Sequence, residues 1–219
     1  MDPPRRRKYE LRVWDEEQVR LFLAEARGSS PYHTLHLTAI MAGMRQGELL
    51  GLRWQDVDFV RGIARVTQTF YRLGSKQIFK PPKTETSRSA VALPPVVIEE
   101  LRRLREQQEE YRLLLGPEYA TDLDLIFCQP NGKPLHAHNV VRRDFRRVIE
   151  RAGLPRIRFH DLRHIHASYL ARAGVPPKVA QERLGHSTLT FTMKVYTYTL
   201  AGMQEQAARA VASYLLGRP

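Results

Sequence analysis

Hydrophobic positions recur with a helical period along most of this chain. Val19, Phe22, Leu23 and Ala26 fall at i, i+3, i+4 and i+7, the stripe of an amphipathic helix. Asp15 ahead of them, with Gln18 three residues on, forms a capping-box start. A second helix is predicted over 31–42, burying Leu37, Ile40 and Met41 and stopping at Gly43, and a short third one over 46–52. After Asp58 the texture changes. Ile63-Ala64-Arg65-Val66-Thr67-Gln68-Thr69-Phe70 is rich in β-branched residues and reads as a strand, Gly74-Ser75 as a turn, and Gln77-Ile78-Phe79 as the returning strand. Pro81-Pro82 breaks the pattern, and Ser89-Ala90-Val91-Ala92-Leu93 is a third short strand. Pro94-Pro95 then opens a long helix reaching residue 115, whose charged positions read as a solvated face. Further helices are predicted over 138–152, 160–173, 176–184, 188–196 and 203–216, with Gly153, Gly174 and Gly185 at stop positions. The expected fold is mainly α, with a small three-stranded antiparallel sheet inserted between helices. One domain is expected over 14–219, after a linker or arm remnant over 1–13 that carries Arg5-Arg6-Arg7-Lys8.

Composition narrows the class. The 219 residues are 42% hydrophobic, enough to bury the core of a full domain. No apolar run approaches the roughly 20 residues of a membrane span. The basic N-terminus is not followed by a hydrophobic segment, so no signal peptide is read. The single cysteine, Cys128, rules out an intramolecular disulfide and fits a reducing cytoplasm, the expected location. Lys plus Arg outnumber Asp plus Glu by 35 to 23, a net charge of +12. That excess favours a polyanionic partner: nucleic acid first, an acidic membrane surface second. The plainer reading is a surface that is merely basic.

Three segments place polar residues where core-building rules would not. In Gly43-Met44-Arg45-Gln46-Gly47-Glu48-Leu49, Arg45 lies at a helix junction beside apolar Met41 and Leu49. An arginine there is either tied to Glu48 in a structural ion pair or reaches into a cleft. In Phe159-His160-Asp161-Leu162-Arg163-His164, His160 and Arg163 share a face at a helix start, where backbone N–H groups and the helix dipole favour an anion. That arrangement suits a phosphate. His160 and His164 also have the spacing of a zinc motif, but that motif needs Glu directly after the first histidine, where Asp161 stands, and a further ligand. The third segment is Leu184-Gly185-His186-Ser187, followed by Tyr196. Alone, His186 reads as a capping or surface residue and Tyr196 as half-buried core. Lys83 sits in Lys80-Pro81-Pro82-Lys83-Thr84, on a turn between strands. A turn anchors the base of the side chain and leaves its amine mobile, which suits proton delivery to a leaving oxygen, although most turn lysines are only solvated.

Taken together in this order and at these separations, the segments resemble the tyrosine recombinase (phage integrase) family: Ala42-Gly43-Met44-Arg45-Gln46-Gly47-Glu48-Leu49, Lys83-Thr84-Glu85-Thr86-Ser87-Arg88, His160-Asp161-Leu162-Arg163-His164, Leu184-Gly185-His186-Ser187 and Tyr196. The resemblance extends from about Trp14 to the last helix. It implies the catalytic-domain fold of that family and a site-specific DNA recombinase that uses neither metal nor cofactor. Arg45 and Arg163 are similar to the arginines that clamp the non-bridging oxygens of the scissile phosphate, and Glu48 to an acidic partner of the first. Lys83 is similar to the hairpin lysine that protonates the 5′-oxygen, His160 to a general base or proton shuttle, His186 to a phosphate-bonding histidine, and Tyr196 to the nucleophile. Tyr198 stands where many relatives carry histidine, but a position two residues on projects from another helical face, so Tyr196 is the expected nucleophile. A tyrosine with a pKa of about 10 attacks only where positive charge stabilises the developing phenolate and phosphorane, and two guanidiniums supply it. The product is a 3′-phosphotyrosyl link and a free 5′-hydroxyl.

The implied partner is double-stranded DNA, with self-association to a tetramer on DNA through the 203–216 helix and a monomer when free. The chain begins at what resembles an interdomain linker, so the family's core-binding domain is expected to be absent. Two other functions compete: a non-catalytic DNA-binding integrase fragment, and a type IB topoisomerase, which shares the chemistry but relaxes supercoils.

Overall fold

In the computed structural model, helix α1 (Glu16–Ser29) starts where its capping box was expected, with Gln18 N–H donating to Asp15 at 2.9 Å and Asp15 N–H to the Gln18 side chain at 3.1 Å. The structure describes residues 13–73, 76–81, 90–185, 193, 196 and 204–216. The arm 1–12, the turn Gly74-Ser75 and the segment with Lys83 lie outside them, as do His186 and Tyr198. Helix α1 buries Val19, Phe22 and Ala26, while Leu23 is only half-buried. Helix α2 (His33–Ala42) is buried on nearly every side, as a helix apolar all round must be. It packs against α1, the short α3 (Gln46–Leu50), α4 (Pro95–Leu115) and α6 (Asp161–Arg172), and forms the central rod of the domain.

The three-stranded antiparallel sheet is present, but its strands are not all the expected ones. Strands β1 (Val57–Asp58), β2 (Ile63–Arg65) and β5 (Ala90–Ala92) pair in the order β1-β2-β5, with Ala64 opposite both Val57 and Val91. Strands β3 (Thr69–Leu73) and β4 (Lys76–Lys80) form a separate hairpin in which Phe70 faces Phe79. The run over 63–70 is therefore two strands. It breaks because Thr67 and Gln68 bond elsewhere: Thr67 Oγ1 donates to Asp56 at 3.0 Å, and Gln68 Nε2 to Gly51 O at 2.9 Å.

Proline at N1 starts α4, whose first turns bury Val97, Ile98 and Leu101 and whose later turns reach solvent. Its charged face is solvated except at Glu100, which is buried and held by Arg27 and Arg103, each at 2.7 Å. The helix expected over 138–152 opens as a π-helical turn (Asn139–Asp144) before α5 (Phe145–Arg151). That turn carries Asp144 inward to Ser30 Oγ (2.6 Å) and His36 Nε2 (2.8 Å). Around them Trp14, Phe22, Phe145 and Phe159 pack in tilted and edge-to-face pairs, with centroids 5.1 to 6.4 Å apart. Helix α7 (Pro177–Leu184) and a C-terminal helix (Gln204–Leu216) complete the architecture. No helix among the described residues is long and apolar enough to cross a membrane.

Candidate active site

Arg45 is placed by the way α2 ends. At Gly43 the backbone enters the left-handed region (φ 65°), which only glycine adopts without strain, and α3 starts three residues later. Arg45 stands at that junction. Its N–H donates to Glu48 Oε2 at 2.8 Å, its Nη1 to Glu48 Oε1 at 2.6 Å, and its Nη2 to Gly185 O at 2.6 Å. The ion pair to buried Glu48 expected of this arginine is present, and the side chain also reaches across the molecule to the end of α7.

Arg163 comes from the first turn of α6 and is buried, 4% exposed. Its Nη1 donates to Gly43 O at 2.7 Å and its Nη2 to Leu184 O. Its pKa is lowered to about 9, chiefly by burial and then by the Arg45 guanidinium, with Glu48 opposing both. Arg45 and Arg163 thus converge on the carbonyls of two successive residues, Leu184 and Gly185, with Gly185 in the left-handed region that ends α7. Two positive groups from distant segments are held side by side, with backbone oxygens as acceptors.

His160 lies at the rim of this cluster. Its pKa is lowered, chiefly by burial and then by Arg163, against the pull of Asp161. Asp161 is fully buried and fixes the start of α6 through Arg158, whose N–H donates to it at 2.7 Å and whose Nη2 donates at 2.8 Å. The His164 ring approaches that of His160 edge-on, with centroids 5.2 Å apart. No group of three metal-ligating side chains occurs among the described residues.

Tyr196 is not at the arginines. It is 2% exposed, packs with Ala171, Ala180, Leu170 and Val175, and its hydroxyl donates to Val175 O at 2.8 Å. Ala171 lies two helical turns beyond Arg163 on α6, about 12 Å along the axis. Burial raises the phenol's pKa, so it is held protonated.

Two residues escaped the sequence reading. His166 is buried beneath Gly43, and a Cβ at Gly43 would stand 2.5 Å from its Cδ2. Its Nδ1 lies 2.9 Å from Ile40 O, which only accepts, and its Nε2 lies 3.0 Å from Arg183 Nε, which only donates. The ring is therefore neutral, with its proton on Nδ1. Arg183 Nη2 also donates to Met41 O (3.2 Å) and Ala92 O (3.0 Å). The available signal was position: His166 follows Arg163 by three and shares its helical face.

Residues 12–202 match the Phage integrase family, and the chain belongs to it. It is 31% identical over 220 residues to the tyrosine recombinase XerC-like protein of Caldanaerobacter subterraneus subsp. tengcongensis, covering 95% of this chain and 56% of that protein. The ICEBs1 integrase of Bacillus subtilis is 27% identical over 199 residues, covering 90% of this chain and 53% of that one. The chain thus spans about half the length of these relatives. Among solved structures, the Tn1549 transposon integrase in complex with transposon right end DNA shares the fold, with a TM-score of 0.79 and 22% identity over 97% of this chain and 68% of that one. The XerH site-specific recombinase bound to difH substrate, a pre-cleavage complex, has a TM-score of 0.62 and 27% identity over 90% of this chain and 52% of that one.

Proposed function

We propose that residues 14–219 are the catalytic domain of a site-specific DNA recombinase of the mobile-element integrase kind. The observation that carries this is the meeting of Arg45 and Arg163 at the Leu184 and Gly185 carbonyls, with His160 beside them. The family match and the relatives, recombinases and integrases by name, support it.

In the reaction the two guanidiniums exchange carbonyl oxygens for the non-bridging oxygens of one DNA phosphate, and Glu48 holds Arg45 in place. His186 adds a hydrogen bond to the same phosphate. Tyr196 leaves Val175 O and attacks phosphorus, its proton passing to His160, whose lowered pKa keeps it neutral and ready to accept. The bond to the 5′-oxygen breaks, and Lys83 supplies that oxygen's proton. A 3′-phosphotyrosyl link and a free 5′-hydroxyl result, and attack by another strand's 5′-hydroxyl reverses the step. Four copies assemble on DNA through the C-terminal helix, which exposes Val211, Tyr214, Leu215 and Leu216.

A nicked suicide DNA substrate carrying the cognate site tests the reading. A covalent protein–DNA band is expected on a denaturing gel, surviving EDTA and lost in Tyr196→Phe. A band kept in Tyr196→Phe and lost in Tyr198→Phe would move the nucleophile. A protein that binds the site and never forms the band would be a binding module instead.

A further inference from the structure

His166 and Arg183 touch none of the groups assigned to chemistry above, yet His166 is buried at the base of the arginine pair and Arg183 lies half-buried against it. Burial lowers the pKa of each, that of His166 to about 4. A buried basic side chain costs free energy unless its hydrogen bonds are used, and here nearly all the contacts lead to one place. Through Ile40 O, Met41 O and Ala92 O the two side chains tie α6 and α7 to the last turn of α2 and to β5. The His166 ring fills the space directly under Gly43, the residue whose carbonyl holds Arg163 Nη1. Arg183 lies immediately before Leu184, whose carbonyl holds Nη2. Both fixed points of the Arg163 guanidinium are therefore set by one imidazole–guanidinium contact.

We infer that His166 and Arg183 are positioning residues for Arg163: the neutral imidazole, donating to Ile40 O and accepting from Arg183, sets the Gly43 and Leu184 carbonyls at the separation that aims the guanidinium at the scissile phosphate. This rests on the reading that Arg45 and Arg163 bind that phosphate. The contact requires a nitrogen lone pair at Nε2, so a ring of the same shape without one fails. Phenylalanine fills the space under Gly43 but leaves Arg183 Nε and Ile40 O without their partner. Glutamine can still present an oxygen to Arg183.

The test compares full-length wild type, His166→Phe, His166→Gln and Arg183→Lys in two measurements. The first is the single-turnover cleavage rate on a phosphate suicide substrate and on one whose scissile phosphate is a neutral methylphosphonate. With phosphate, His166→Phe and Arg183→Lys should slow cleavage about tenfold or more while DNA affinity stays within about twofold, and His166→Gln should recover part of the loss. With methylphosphonate there is less charge to clamp, and the gap between wild type and variants should shrink to within about threefold. A gap of equal size on both substrates would mark a general folding defect and overturn the inference, as would variants that cleave phosphate at the wild-type rate.

The second measurement uses free protein and needs no DNA. Nitrogen-15 NMR should show His166 neutral and protonated on Nδ1 at pH 6, with the Arg163 side-chain resonances shifted in His166→Phe and Arg183→Lys. Unmoved Arg163 resonances, or a doubly protonated His166 at that pH, would overturn the inference even if wild type cleaved DNA. If wild type formed no tyrosyl link, the recombinase reading would fall, and the Arg163 resonances would still decide this one.

Discussion

Arg163 keeps its charge in the domain interior because its Nη1 and Nη2 each meet a backbone carbonyl, and a single ammonium nitrogen lacks the planar two-nitrogen fork that makes these bonds. Arg163→Lys is therefore expected to fold and still bind DNA but to lower the cleavage rate at least about hundredfold, read by single-turnover kinetics on the suicide substrate. Arg45, Glu48, His160 and Arg163 were legible in the sequence for one shared reason: each is a charged or polar group set into an apolar rhythm. Tyr196 was singled out only by the family resemblance, since a tyrosine on an amphipathic stripe is ordinary core, and here it packs as core. His166 and Arg183 were not legible. Their partners lie on other elements, and nothing in the local pattern separates a histidine that bridges a carbonyl and a guanidinium from one that merely fills space.

Among the elements, those governed by local signals were readable: the α1 capping box, the proline start of α4, and the glycine stops of α2 and α7. Those decided by distant partners were not. The expected strand over 63–70 divides because Thr67 and Gln68 bond to the segment at 51–56, and the α5 region opens as a π turn that brings Asp144 to His36 and Ser30. The junction between α2 and α3 is the most constrained of these elements. Gly43→Ala meets a positive φ and a ring 2.5 Å from its new Cβ, so either His166 or the Gly43 carbonyl must shift. The expected cost is about 2 kcal/mol or more by denaturant unfolding, with cleavage lost beyond that. Gly174→Ala also sits at positive φ but meets open space, and serves as the strain-only control.

At the scale of the molecule, two buried histidines make folding sensitive to mild acid. His164 and His166 are held near a pKa of about 4 against an ordinary 6.5, first by burial and then by His160 for the one and Arg183 for the other. Between those values the unfolded chain takes up protons that the folded chain refuses, so stability falls as pH drops from 6.5 towards 4 and is flat for these groups above 6.5. Each contributes a slope of up to about 1.4 kcal/mol per pH unit. Thermal unfolding across that range should show the loss, and His166→Phe should remove its share of the slope while that of His164 persists. The excess of basic side chains over acidic ones also means that DNA affinity should weaken steeply as salt rises.

The carbonyls of Leu184 and Gly185 have one more consequence, for life among small anions. Because Nη1 and Nη2 of both guanidiniums already donate to protein oxygens, a lone phosphate ion reaching them must compete with contacts at hydrogen-bond distance. A long polymer brings many other contacts to offset that exchange; a metabolite does not. Replacing chloride by inorganic phosphate at matched ionic strength should therefore leave the cleavage rate within about twofold. Strong inhibition would mean that the carbonyls guard the arginines poorly. On the proposed reading, such a site discriminates against dissolved phosphate in favour of a ligand large enough to hold on elsewhere.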